Sequence, residues 1–259
     1  MSDVLSKLAL AIVLAATYCL ASANSEDAAA QELLGRSDRA RNPGHGFKFT
    51  NTLTEYRADR PGYAARFSIL SKSDPRSGQY RNLVVYVGPP EDAGKKLLMN
   101  GNVMWFYDPS ASATVRVSPQ QRLQGQVSNG DVLTLNLALD YKATAAAWED
   151  VKDDQQELRH SYRLQLTAST DSATYFRVEY WIDAANYLPI KGQYYADSGR
   201  LLKTIYFGKY RPILGGTRPT EMTVIDEFDT SRITRMVLSD FSAMDIPEPW
   251  FQRQYLTKQ

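Results

Sequence analysis

Apolar and polar residues alternate with a period of two from residue 46 to near the end of this chain, and that alternation predicts half-buried antiparallel strands. Phe47, Phe49 and Leu53, then Ala65, Phe67 and Ile69, then Leu83, Val85 and Val87, then Val103, Trp105 and Tyr107 carry the apolar beats of the first half. Turn clusters separate them: Asp59-Arg60-Pro61-Gly62, Asp74-Pro75-Arg76-Ser77-Gly78 and Gly88-Pro89-Pro90. Asn100-Gly101 is a hairpin signal, because both central residues of a type I′ turn need positive φ. The beat resumes with Tyr162, Leu164 and Leu166, then Phe176, Val178, Tyr180 and Ile182, then Tyr194-Tyr195, Ile205 and Phe207, Met222 and Val224, and Met236 and Leu238. About eleven strands follow from this count.

Two stretches break the pattern. Residues 27–41 lack β-branched side chains and place Ala28, Ala29, Ala30, Leu33 and Leu34 among charges, which predicts an amphipathic helix behind a Ser25 cap, ending before Asn42-Pro43-Gly44. Residues 118–150 admit two readings. Pro119, Gly125 and Asn129-Gly130 punctuate the chain and Asp131 is placed to cap a helix from Val132, whereas Leu133, Leu135, Leu137 and Leu139 alternate as in a strand.

The first residues bear on the compartment. Lys7 precedes an apolar run from Leu8 to Leu20, and Ala21-Ser22-Ala23 fits a signal-peptidase site with cleavage after Ala23, leaving 24–259 as one large β domain. The run is too short to span a bilayer, and no later segment approaches ~18 consecutive apolar residues. Cys19, the one cysteine, falls inside that leader, and Tyr18 stands where a lipoprotein signal wants a small residue, so lipidation there is disfavoured. Cleavage would leave a mature chain without a thiol, excluding disulfides and cysteine chemistry.

Candidate chemistry is sparse. A net charge of +1 with mixed signs gives no basic face for nucleic acid. His45 and His160 are the two histidines, and neither has a second ligand at metal spacing, so no metal and no cofactor are expected. No G-x-S-x-G elbow accompanies a serine. The segment Gly88–Lys96 fails as a phosphate loop because Lys96 stands where Ser or Thr is needed and two prolines remove amides. The acidic run from Glu149 to Glu157 lacks the glycine and spacing of a calcium loop.

The order of several longer signals is more informative. Met104-Trp105-Phe106-Tyr107-Asp108-Pro109, the run Val117 to Asp131, Tyr180-Trp181-Ile182-Asp183, Tyr187-Leu188-Pro189-Ile190, Gly216-Thr217-Arg218-Pro219-Thr220 and a tail with Trp250-Phe251 and Tyr255-Leu256 resemble the outer-membrane lipoprotein-sorting family, relatives of the periplasmic carrier LolA, over roughly residues 25 to 256. The resemblance implies a mainly β (α+β) fold: an incompletely closed antiparallel barrel with an N-terminal helix and a lid formed by the 118–150 region. It favours short helices or irregular structure over a strand there. It also implies a non-enzymatic periplasmic carrier that holds the acyl chains of a lipid or lipoprotein, supplied by an inner-membrane transporter of the resistance-nodulation or ATP-driven type. Inward positions of such a barrel, taken from the alternation, are Phe67, Val85, Trp105, Tyr107, Leu135, Leu164, Phe176, Val178, Tyr180 and Met222. Without the resemblance the same residues read as an ordinary sandwich core. An accessory domain that binds a transporter and carries no ligand is the rival from another class, and an esterase using the same cavity is a third.

Overall fold

In the computed structural model residues 26–258 are described; the expected signal peptide, its cleavage after Ala23 and the Ser25 cap lie outside them. Helix α1 covers residues 26–41 and buries Ala30, Leu34, Ser37 and Asp38 on one side, the i, i+4, i+7, i+8 stripe of an amphipathic helix.

Strands β1 (Phe47–Arg57), β2 (Arg60–Ser73), β3 (Tyr80–Gly88), β4 (Lys96–Asn100), β5 (Val103–Asp108) and β6 (Ala113–Val117) form a meander running away from β1. After a crossing segment come β9 (Tyr141–Lys152), β10 (Leu158–Ala168), β11 (Arg177–Asp183), β12 (Pro189–Tyr195), β13 (Leu201–Gly208), β16 (Glu221–Asp226) and β17 (Arg232–Ala243), with the small hairpin β14 (Arg211–Ile213) and β15 (Gly216–Arg218) set between β13 and β16. The main sheet has thirteen strands in the order β6-β5-β4-β3-β2-β1-β17-β16-β13-β12-β11-β10-β9, paired antiparallel throughout. It does not close: β6 and β9 are its two edges.

The two strands beyond the expected eleven are those edges. β9 runs through Ala143 to Ala147, a helix-favouring composition that pairing with β10 overrides, and its far end carries the acidic residues Glu149 and Asp150. The hairpin at residue 100 is also shifted by one position. Asn100 pairs with Val103, so Gly101-Asn102 form the loop, and of these Gly101 takes the positive φ of 58°.

Unclosed topology fixes the course of the crossing segment. The chain leaves one edge at Val117 and re-enters at Tyr141 on the other, so residues 118–140 have to span the opening between them. They do so through a small hairpin of β7 (Arg122–Gln124) and β8 (Val127–Ser128), a 3₁₀ turn over Asn129–Val132, an extended stretch, and the four-residue helix α2 (Leu137–Asp140). The expected lid is therefore irregular up to residue 140, and its second part, 141–150, is edge strand.

The sheet is buried on both faces in its first half. The cross-strand row Ile69, Val84, Leu97, Phe106 faces the inner core with Leu53, Phe67, Leu164, Val178 and Tyr180. The neighbouring row Leu70, Leu83, Leu98, Trp105 faces outward and is covered by the C-terminal tail through Ile246, Phe251 and Leu256.

Candidate functional site

The inner face of the sheet and the segment that crosses it form the one arrangement in which many of the expected side chains meet. Val127, Val132, Leu133 and Leu135 of the crossing segment are buried against Phe47, Phe49, Phe67, Leu164, Val178 and Phe207. Close approach of backbone is built in: a Cβ on Gly130 would lie 2.0 Å from the Thr174 hydroxyl oxygen.

An extended segment laid across side chains has no ladder partner, yet its buried amides need one. Four side-chain amides supply it. The Asn82 carboxamide accepts from the Thr134 N–H at 3.0 Å and donates to the Thr134 carbonyl at 2.9 Å. Gln79 treats Asn136 the same way, at 2.7 and 3.0 Å. Asn42 donates to the Leu135 carbonyl at 2.9 Å, and Gln31 donates to the Ala138 and Tyr141 carbonyls while accepting from the Ala143 N–H at 2.7 Å. Asp38 accepts from the Ala138 N–H at 2.8 Å. Residues 134–143 are thus clasped by side chains of α1 and β3 and of Asn42 and Gln79, which directly adjoin those elements.

The earlier part is held differently. Asp131 accepts from the Ser128 N–H at 2.7 Å and from the Tyr175 hydroxyl at 2.8 Å, and it pairs with the ammonium of Lys203 on β13. Asp131 therefore sits inside the 3₁₀ turn as its third residue, in a capping box with Ser128, rather than as the cap of a helix. Lys203 also donates to the Gln126 carbonyl at 2.7 Å. Both charged side chains are almost fully buried, and burial draws the Lys203 ammonium below its ordinary value against the pull of Asp131.

Between the crossing segment and β1, β16 and β17 lies a cavity of ≈ 90 Å³. Its apolar walls include Phe47, Phe49, Phe207, Met222, Leu238 and Phe241, and its polar walls Arg41, Asn42, Asn51, Asp131, Thr134 and Arg218. Arg218 is 7 % exposed, and burial lowers its pKa from the usual guanidinium value. Its donors reach the Ile213 carbonyl, the Leu214 carbonyl at 3.5 Å and the Asn42 carbonyl at 3.4 Å.

Of the residues expected to face inward, Phe67, Leu135, Leu164, Val178 and Tyr180 are buried in the inner core, and Met222 packs against it and lines the cavity. Val85, Trp105 and Tyr107 do not join them. They belong to the outer cluster beneath the tail, because β3 and β5 are apolar on both faces and the alternation alone selects the wrong one. Phe176 is also misplaced: pairing of β11 with β10 stops at Arg177, Phe176 lies beyond it at 48 % exposure, and Tyr175 is the residue turned inward. Asn82, Asn42, Gln31, Gln79, Asp131, Lys203 and Arg218 were not among the expected residues. Polar residues on apolar strand beats, such as Asn51 and Lys203, were the available signal.

His45 is exposed, and His160 is exposed beside Asp150 across the β9–β10 pair, 2.5 Å from its carboxylate. Among the described residues no group of three or more His, Cys, Asp or Glu is arranged to hold a metal ion. The acidic run covers the end of β9 and the hairpin turn after it, in which buried Asp153 accepts from the N–H groups of Gln155 and Glu157.

Comparison with known proteins follows from this geometry. A family described as an uncharacterized protein family matches residues 78–258, well over half the chain. Among solved structures, a LolA superfamily protein from Nitrosomonas europaea is 31 % identical with a TM-score of 0.77, covering 87 % of this chain and 98 % of its own. A DUF1329 family protein from Desulfovibrio piger is 22 % identical with a TM-score of 0.76, covering 89 % and 99 %. A domain from Vibrio parahaemolyticus described as an outer membrane lipoprotein-sorting protein is 17 % identical with a TM-score of 0.75, covering 90 % and 100 %; at these last two identities the likeness is one of fold. No curated protein matches the sequence.

Proposed function

Because the chain belongs to the LolA superfamily, we propose that it is a non-enzymatic periplasmic carrier whose inner sheet face takes up the acyl chains of a lipid or lipoprotein bound for the outer membrane. The observation that carries this reading is the inner face itself: it is large and apolar, and it is covered by a segment held through hydrogen bonds and one ion pair instead of by further strands. Phe67, Leu164, Val178, Tyr180 and Met222 form the lipid-facing wall, and Leu135 belongs to the cover.

Physical need supports a carrier of this kind. Burying a CH₂ is worth ~0.8 kcal/mol, so a sixteen-carbon chain costs on the order of 12 kcal/mol to expose to water. The cavity of ≈ 90 Å³ is far below the ~300–1,000 Å³ of ordinary ligand pockets, so uptake requires residues 118–132 to lift and vacate the space of Val127 and Val132. Extraction of cargo at that cost implies an inner-membrane transporter as partner, of the resistance-nodulation or ATP-driven type. Export follows from the leader read in residues 1–23.

The small volume of the cavity also favours one second reading, an accessory domain that docks on such a transporter and carries nothing. Native mass spectrometry of the exported protein, purified without detergent exchange, separates the two. Co-purifying acyl lipid released on unfolding is the result expected of a carrier. Bare protein that also fails to take up added lipid supports the accessory reading.

A further inference from the structure

Among the described residues Arg218 has no carboxylate partner, although it is buried and walls a cavity whose other lining is part aromatic and aliphatic, part polar. A buried charge without a counter-ion is among the costlier things a fold retains. The hairpin β14–β15 holds it through backbone carbonyls alone, and Gly216 keeps the space beside it open, since a Cβ there would lie 2.8 Å from a guanidinium nitrogen. The other charges of this region are already matched: Arg41 with Asp38, and Lys203 with Asp131. One positive charge is left over, and it is that of Arg218.

Three of the buried side-chain atoms that lack a hydrogen-bond partner belong to residues of this cavity. Nε of Arg218, Nε of Arg41 and Oδ1 of Asn51 are buried without a partner, and all three residues line it. Asn51 is 1 % exposed on a β1 beat where its neighbours Phe49 and Leu53 are apolar. The orientation of a carboxamide is set by its partners, so its NH₂ is free to turn toward an acceptor. The one carboxylate in the lining, Asp131, is neutralised by Lys203, so a cation and two further donors beside an apolar wall match a ligand with a compact anion at one end and hydrocarbon at the other.

We propose that this cavity is a head-group site for an anionic acyl amphiphile, with Arg218, Arg41 and Asn51 receiving a carboxylate or phosphate and the chain lying on Phe49, Met222 and Phe241. The chain leaves past Leu238 and Phe241, which also wall an adjoining surface groove of ≈ 680 Å³ under the β14–β15 hairpin. The proposal rests on the carrier reading and narrows its cargo to amphiphiles bearing a negative head.

Calorimetric titration of the exported protein with dodecanoate, dodecyl phosphate and dodecanol tests it. The anions are expected to bind about tenfold or more tightly than dodecanol, the gain from hydrogen bonds to a charged group in a dry site. Arg218→Met should bring them to within about twofold of dodecanol, with Arg218→Lys intermediate. The better of the two anions identifies the head group. Equal affinity of the unaltered protein for dodecanoate, dodecyl phosphate and dodecanol overturns the anion site while leaving the carrier intact, and this comparison needs no variant to fold. Binding of none of the three overturns the carrier reading beneath it.

Discussion

The two faces of the same sheet are covered by the same chain in different ways, and the contrast separates a cover that stays from one that can be exchanged. On the outer face the C-terminal tail lays Ile246, Phe251 and Leu256, all fully buried, onto Leu70, Leu83 and Leu98; Lys72, Asn100 and Lys96 donate to its Ile246, Phe251 and Leu256 carbonyls, and buried Arg81 pairs with the exposed Glu248. On the inner face residues 118–140 add a buried ion pair and four amide clasps to their apolar contacts. Apolar burial is lost in full when a cover lifts, whereas a hydrogen bond traded for water costs only about 0.5–1.5 kcal/mol. What sets the inner cover apart is an ion pair buried on both sides, a fastening added to its apolar contacts that can be traded for water when the segment lifts.

Phe251→Ala should have the largest effect. Truncating a fully buried phenylalanine costs ~3–5 kcal/mol, read as a lower denaturant midpoint, while lipid carried per folded molecule stays the same. Loss of lipid in proportion to stability would mean that the two faces do not act separately. Lys203→Met comes next. It strands the Asp131 carboxylate in the interior at about 3 kcal/mol, so hydrogen exchange should quicken over residues 118–132 while the strands keep their protection. Replacing both partners, Asp131→Leu with Lys203→Met, should restore most of that protection; no recovery would show that the pair does not hold the cover.

Asn82→Ala tests the clasped part. It leaves the Thr134 N–H and carbonyl without partners, a cost of roughly 2 kcal/mol, and exchange should rise over residues 133–136 rather than 118–132. The smallest effect is that of pH, and its sign differs between the covers. Arg81, and then Lys72, hold the Glu248 carboxyl down at about 2, so the anchor of the tail is intact above pH 4.5 and lost as pH falls through about 2. Burial raises the carboxyls of Asp38 and Asp140 beside the cover, so their contribution is fully present below pH 3.8 and lost as pH rises through their raised values. Lowering the pH from 6 to 3 should therefore weaken protection of residues 246–256 and strengthen it at 138–140. Parallel changes in the two segments would contradict this.

Much of the scaffold was legible: period-two alternation reports pairing directly and gives the two meanders, and composition gives the helix, whereas the irregular character of residues 118–140 came from the family resemblance against the strand-like beat of Leu133, Leu135, Leu137 and Leu139. Parity was not legible where both faces are buried. Val85, Trp105 and Tyr107 keep perfect alternation, yet the tail that covers them is more than a hundred residues away in sequence, and nothing local distinguishes its face from the inner one. β9 was hidden for the opposite reason, since Ala143 to Ala147 carry helix propensity that only the long-range pairing with β10 overrides. The clasps at Gln79 and Asn82 were invisible because a polar residue on a strand reads as exposed until the segment it serves is in place.

The central claim is that hydrocarbon occupies the inner face, beneath residues 118–132. It is tested most directly by irradiating the protein loaded with a diazirine-bearing palmitate and mapping the labelled peptides. Labels at Phe49, Met222, Leu238 and Val132, falling when unlabelled palmitate competes, are the expected result. Labels confined to Trp105, Trp250 and Tyr255 beneath the tail, or no competed label at all, would contradict it.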